Sequence, residues 1–341
     1  MTRFAKNLLS WYLKNRILYP WRKTKDPYKI WVSEILLQQT RIPVVLKYYD
    51  KILDRFPRIE DLTEARETEF LALWSGLGYY RRAHAMLQCA REITQNYNGK
   101  FPSDLEELLQ LPGIGNYTAG AIRNVCFGIL TPSLDGNIRR VLSRLAMQHE
   151  NLENVFLNFG KDADSGIYFQ SLMELGEQIC LPDPRCALCP VRKYCKAHQI
   201  GKIASFPKKK LKKKTETFHW YLLLAASNGS HYYVQNSDRQ FLKKAWIFPD
   251  ILSRSELSPA VLRQEFQERW GIKTTTLAER NRLSHAVTFR KIRVHVMIPK
   301  SFELNGSKGK WLREADFQEH PTSSITRKTL QIVNRQTPSA K

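Results

Sequence analysis

The chain has 341 residues, 43% of them hydrophobic, which is enough apolar material for two packed domains and too much for disorder throughout. Its formal net charge of +22 points to a polyanionic partner, because Lys and Arg that neutralise phosphates release condensed counterions. Nucleic acid fits that balance first and an anionic membrane surface second, and a spanning role is disfavoured: the most apolar stretch, Trp220 to Ala226, falls far short of the roughly 20 residues a span requires.

From the N-terminus to about residue 200 the apolar residues recur at three- and four-residue spacing, so this part is expected to be all-α. Met1 to Leu18 carries Arg3, Lys6, Lys14 and Arg16 in an amphipathic pattern, without the apolar core and small-residue cleavage site of a secretory signal. A reducing, cytoplasmic setting is therefore expected. Next comes an acid on an apolar stripe. Glu34 lies four residues after Ile30 and three after Trp31, with Leu37 following, and burial there would keep a carboxyl protonated, as a general acid requires. A glutamate hydrogen-bonded at a helix–helix contact would look the same. Ser103, after Pro102 and three residues before Glu106, reads as a capping-box helix start, with Leu105, Leu108 and Leu109 on one face.

Residues 111–120, LPGIGNYTAG, join two helical patterns. Gly113 and Gly115 allow a tight turn that aims backbone N–H groups outward at a helix N-terminus, a ready anion site, so 105–125 reads as a helix-hairpin-helix. Asp135 precedes the pattern Ile138, Val141, Leu142, Leu145 and, taken alone, reads as an N-cap. Cys180, Cys186, Cys189 and Cys195 crowd one loop, whereas Cys89 and Cys126 stand alone like ordinary buried residues. Disulfides do not suit a reduced chain, so four thiolates imply a tetrahedral zinc or an iron–sulfur cluster. The spacing C-x5-C-x2-C-x5-C lacks two separated C-x2-C knuckles, and Pro190 after Cys189 echoes bacterial cluster motifs, which favours the cluster. Arg185, Arg192, Lys193 and Lys196 lie among the ligands and would face phosphate.

Residues 201–217, with Lys208, Lys209, Lys210, Lys212, Lys213 and Lys214, read as a basic linker after a catalytic domain of residues 1–200. Beyond it, residues 218–335 should form an α+β domain. His219 to Ala226, His231 to Gln235 and Lys291 to Ile298 look like strands, and Ser258 to Trp270 like a helix closed by Gly271.

Taken in order, the runs WVSEILLQQTR (31–41), GLGYY (76–80), the hairpin, LDGNIRRVLSR (134–144) and the cysteine loop resemble the MutY adenine DNA glycosylases of the helix-hairpin-helix superfamily. The resemblance is strong over residues 10–198 and weak beyond. It implies excision of adenine opposite 8-oxoguanine or guanine in double-stranded DNA by a monomeric enzyme of the cytoplasm or nucleoid. One [4Fe-4S] cluster on the four cysteines and a Nudix-like C-terminal domain are implied with it. Glu34 then matches the acid that protonates adenine, and Asp135 the carboxylate that stabilises the sugar cation. Tyr117 and Asn137 match residues flanking that sugar. Gln39 and Tyr79 match residues that intrude into the base stack, with Gly113, Gly115 and Thr118 on the DNA backbone. Trp21, Arg22 and Gln170 fall where the family lines its adenine pocket.

Two departures stand out. The gap between Cys180 and Cys186 is one residue shorter than the family's usual spacing and holds two prolines, Pro182 and Pro184. Where the family has Phe-Ser-His to read the opposing base, alignment on His285 places Val287, Thr288 and Phe289.

Other readings are separable. An endonuclease III-like enzyme that also cuts the strand would carry lysine where Tyr117 stands, since a phenol forms no Schiff base. A silent iron–sulfur DNA-binding protein would have no reason to keep both Glu34 and Asp135. A Nudix hydrolase is disfavoured because residues 264–272, QEFQERWGI, keep two of that box's three glutamates and place Gln264 at its arginine.

Overall fold

The computed structural model describes residues 1–208, 215–235, 246–287, 290–305, 309–318 and 322–336, and leaves aside the side chains at 285–287, 324 and 333–336. Backbone contacts group Met1–Glu64 with Ala85–Leu211 as one unit and Ala65–His84 with Lys212–Lys341 as a second. Among the described residues no helix is long and apolar enough to cross a membrane.

The first unit is helical, as its periodicity indicates. Its principal helices are α1 (Arg3–Asn15), α2 (Pro27–Leu37), α3 (Ile42–Arg55), α4 (Leu105–Gln110), α5 (Asn116–Cys126), α6 (Gly136–Ala146) and α7 (Ser165–Gln178). Helix α7 packs on α1, α5 and α6, while α2 packs on α3 and α5. Tyr12, Trp31, Leu36, Ile122, Leu142 and Leu172 are all buried. Helix α2 begins where Asp26 accepts from Tyr28 N at 2.9 Å and Pro27 pre-sets the first turn. Its Tyr28, Ile30, Trp31, Val32, Ile35 and Leu36 are buried, so it sits deep in the unit.

The expected capping box at Ser103 is displaced by one residue. Asp104 is the N-cap of α4 and accepts from Glu106 N and Glu107 N at 2.9 and 3.1 Å. A carboxylate out-competes the neighbouring hydroxyl for those donors. Of the three leucines read as one face, Leu108 is buried and Leu109 is exposed.

Packing also continues into the stretch read as a linker from residue 201. Phe206 is buried, stacks on His149 at 4.6 Å and gives its carbonyl to Arg144 Nε at 2.9 Å. An aromatic ring within a polar run is enough to anchor it. Of the lysine block, residues 209–214 lie outside the described residues.

The second unit is α+β. Its longer strands are β1 (Glu216–Leu223), β2 (Ser230–Gln235), β3 (Asp250–Ser253), β4 (Leu277–Val287), β5 (Arg290–Pro299) and β6 (Gly309–Leu312), with one helix, α8 (Pro259–Trp270), between β3 and β4. One sheet runs β3-β1-β5-β4, with β1 and β5 parallel and paired from Glu216↔Arg290 to Leu223↔Met297; β2 and β6 pair antiparallel in another. Both faces of β1 are covered, which explains its continuous apolar run. Trp220 and Leu222 pack with Val294 and Val296, whereas Tyr221 and Leu223 pack with Leu262 and Phe266 of α8. Helix α8 starts and stops as read, on a Ser258 cap and on Gly271 at φ 65°. Residues 65–84, read as part of the helical domain, belong with this unit. There the Tyr80 hydroxyl donates to the Thr322 carbonyl at 2.8 Å.

Candidate active site

A cleft of about 840 Å³ opens in the first unit, lined among others by Trp21, Arg22, Glu34, Gln39, Gly113, Gly115, Tyr117, Asp135, Asn137 and Gln170. Residues far apart in sequence meet because α2, α5, α6 and α7 all send polar side chains into the cleft.

Glu34 comes from α2. Its surface area is partly open, yet its Oε2 is shielded and without a hydrogen-bond partner. Burial, helped by the nearby Asp135 charge, pushes its carboxyl up to about 7, while the Tyr117 hydroxyl and Arg22 pull the other way. Tyr117, also 3.9 Å from Met173 Sδ, is itself driven well above the phenol range by burial, then by the Glu34 and Asp135 charges. Asp135 is the N-cap of α6 and accepts from Ile138 N at 2.7 Å. The cap and the carboxylate facing the cleft are one residue. Burial raises its pKa, and the backbone N–H groups of Ile138 and Asn137 oppose that shift. Two carboxyls thus share a cleft in different surroundings. Glu34 is poised to hold a proton near neutrality, whereas Asp135 is pinned by donors that favour its anion.

Deeper in, Trp21 is 6% exposed, stacked on Tyr19 at 5.2 Å and edge-on to Tyr49 at 5.4 Å. Arg22 lies over the Tyr12 and Tyr19 rings and places Nη1 2.7 Å from Glu174 Oε2, a charge contact without hydrogen-bond alignment. The Tyr12 hydroxyl donates to Gln170 Oε1 at 2.7 Å, which leaves the Gln170 amide nitrogen to donate into the cleft. Asn137 Oδ1 accepts from Arg140 Nη2 at 2.9 Å, and the same guanidinium reaches the carbonyls of Gly176 and Cys180.

At the hairpin, Gly113 has φ 79°, and a Cβ there would stand 2.9 Å from Ala85 Cβ, so glycine is required. Gly115 is different. Its φ is −104°, no heavy atom would lie within 4 Å of an added Cβ, and α5 begins at it without a side-chain cap. Thr118 is 2% exposed, yet it lines the cleft beside Tyr117. Gln39 and Tyr79 are both exposed, at left-handed φ of 57° and 49°, a conformation rare for residues with a Cβ. Val287 ends β4 with its side chain outside the described residues, and Thr288 and Phe289 lie outside them altogether.

The four loop cysteines are free and line an apolar pocket with Val141, Leu145 and Leu175. Among the described residues no three of these sulfurs lie within 4.8 Å of one another. Four thiols around one apolar pocket are a donor set for either a tetrahedral zinc or an iron–sulfur cluster. Arg144, 4% exposed, fixes the loop: Nη1 donates to Leu181 O at 2.6 Å and reaches Cys180 Sγ at 3.5 Å, while Nη2 donates to Pro182 O at 2.9 Å. Those carbonyls belong to the shortened, proline-bearing segment, which explains how it is held.

Four residues of the site escaped sequence reasoning: Tyr12, Arg140, Arg144 and Glu174. Only i,i+4 spacing hinted at three of them, Arg140 with Arg144 on α6 and Glu174 with Gln170 on α7, and nothing in the sequence marked Tyr12.

A family model described as HhH-GPD superfamily base excision DNA repair protein matches residues 32–156. A protein of Buchnera aphidicola subsp. Baizongia pistaciae called adenine DNA glycosylase is 38% identical over 268 residues, covering 74% of this chain and 75% of that one. A Mus musculus protein of the same name is 37% identical over 229 residues, covering 61% and 44%. Among solved structures, a thermostable thymine-DNA glycosylase superposes with a TM-score of 0.54 at 29% identity, over 58% of this chain and 95% of its own.

Proposed function

The chain belongs to the adenine DNA glycosylases of the HhH-GPD superfamily, enzymes of base excision repair, and on that footing we propose how its cleft removes the base. The observation that carries the proposal is a carboxyl whose pKa is raised to about 7, facing a second carboxyl held by backbone donors. Glu34 donates its proton to N7 of a flipped adenine, the bond from C1′ to N9 breaks, and both of its electrons leave with the base. Asp135 stabilises the cationic sugar left behind. Glu34, now a carboxylate, takes a proton from the water that adds to C1′. Asn137 and Tyr117 flank the sugar. Because Tyr117 offers a phenol and no amine, no Schiff base forms and the strand stays whole.

Trp21, Arg22 and Gln170 receive the base, with Gln170 oriented by Tyr12. Gln39 and Tyr79, held in strained left-handed backbone, fill the stack as the nucleotide leaves it. Gly113 and Gly115 present backbone N–H groups to one phosphate. Cys180, Cys186, Cys189 and Cys195 would hold one [4Fe-4S] cluster, which clamps the loop bearing Arg185, Arg192, Lys193 and Lys196 against DNA and takes no part in the bond cleavage. The second unit is Nudix-like, supported by its parallel β1–β5 pair and its Gly271-closed helix. Gln264, bonded to Glu268 at 2.8 Å, occupies that box's arginine position, which disfavours pyrophosphate cleavage. In this unit Val287, Thr288 and Phe289 meet the opposing 8-oxoguanine, with the Thr288 hydroxyl as the polar contact.

Glu34→Gln and Asp135→Asn are each expected to abolish base release with DNA binding nearly intact. A general acid contributes about 10²–10⁴-fold, so activity within tenfold of the parent would remove either residue from its role.

A further inference from the structure

The second unit holds a group of side chains that the glycosylase chemistry leaves unused. His219 on β1 and His295 on β5 are 6% and 0% exposed, and His219 Nδ1 lies 3.0 Å from His295 Nε2. Glu256, on the exposed loop before α8, completes a group whose ligand atoms all fall within 4.8 Å of one another. We infer that His219, His295 and Glu256 form a site for a divalent transition metal of the zinc class, with one coordination position open to water.

The 3.0 Å separation is that of a hydrogen bond, and a metal can take the place of its proton if the nitrogens part by a few tenths of an ångström. In tetrahedral coordination, Zn–N bonds of 2.0–2.1 Å put neighbouring nitrogens roughly 3.3 Å apart. Orientation supports it independently. His295 Nδ1 lies 3.1 Å from Glu279 Oε1, so its N–H is given to a carboxylate and its Nε2 lone pair is aimed at His219. A carboxylate behind a histidine in this way is the usual outer partner of a metal ligand. The third ligand is positioned too. The Leu257 N–H donates to the Tyr221 hydroxyl at 2.7 Å, and the Tyr221 ring stacks on His295 at 4.5 Å, which ties the residue after Glu256 to the histidine pair.

Charge is compatible. Arg282 bridges Glu256 and Glu279 and, with Arg293, is the positive charge facing the site. Glu256 meets Arg282 at 2.8 Å as an ion pair about half exposed on both sides, worth little, and a metal would take its place. Two imidazoles exclude magnesium and calcium and favour zinc.

The test uses the full chain with its cluster loaded. The protein is treated with a chelator under conditions that leave its iron unchanged, given zinc chloride, desalted and analysed for zinc and iron. One zinc per chain with iron unchanged is expected, with affinity at least tenfold weaker in Glu256→Gln, a surface change that spares folding, and in His219→Gln. Glu279→Gln should weaken binding by a smaller factor. Absence of retained zinc, zinc gained only as iron is lost, or Glu256→Gln binding as the parent does would each overturn the site.

Discussion

At the scale of single residues, Glu34, the proposed acid, also carries a cost. Its carboxyl titrates near 4.5 in an unfolded chain and at about 7 when folded, so between those values the folded protein holds the extra proton. Stability therefore falls as pH rises from about 4.5 to 7 and is flat above, by an amount on the order of 3 kcal/mol. Glu34→Gln removes that loss. It is expected to unfold at higher denaturant than the parent at pH 8 and to match it near pH 4.5, and equal midpoints at both pH values would show that the carboxyl is not desolvated. The same group shapes the rate. Single-turnover adenine release should decline as pH rises through 7, and Tyr117→Phe, which removes a hydrogen bond favouring the charged form, should move that decline to higher pH. A shift to lower pH would contradict the arrangement. The burial of Glu34 and the capping role of Asp135 could be read from sequence, because a lone acid on an apolar stripe and an aspartate before a helical run each have a physical signature, whereas their catalytic roles came only with the resemblance. The burial of Thr118 could not be read, since it depends on how α5 rotates against its neighbours.

Among the elements, α6 joins the cleft to the cysteine loop. It starts at Asp135, and its Arg140 and Arg144 bond main-chain carbonyls at Gly176, Cys180, Leu181, Pro182 and Phe206. Carbonyl partners leave no trace in composition, which is why these arginines were invisible while the helix itself was plain. Arg144→Met strips several charge-assisted bonds from a buried site, so a loss of about 3–5 kcal/mol is expected, together with iron missing from the purified protein. Arg144→Lys should not rescue it, because one ammonium cannot span the same carbonyls. Unchanged iron content and thermal midpoint in both variants would mean that the loop holds itself. Elements with local signals, such as α8 between Ser258 and Gly271, were legible almost to the residue. The start of α4 was not, because Ser103 and Asp104 compete for one role and only geometry decides.

For the whole molecule, the net charge of +22 has a measurable consequence. If about six phosphates are engaged, log affinity for duplex DNA should fall linearly with log salt at a slope of about −5, roughly a thousandfold between 50 and 200 mM. A flat dependence would mean that the charge serves something other than DNA. The two-part organisation was legible from the change in periodicity near residue 200. The assignment of Ala65–His84 to the second unit was not, because that link is made by Tyr80 and Thr322, far apart in the chain. The central claim is that this cleft protonates and releases adenine without cutting the strand. The most direct measurement is a single-turnover incubation of the cluster-loaded protein with a duplex carrying adenine opposite 8-oxoguanine, assayed for free adenine and for strand breaks before and after alkali. Free adenine, an intact strand until alkali is added, and no release by Glu34→Gln are expected; nicks without alkali, or release by Glu34→Gln within tenfold of the parent, would contradict it.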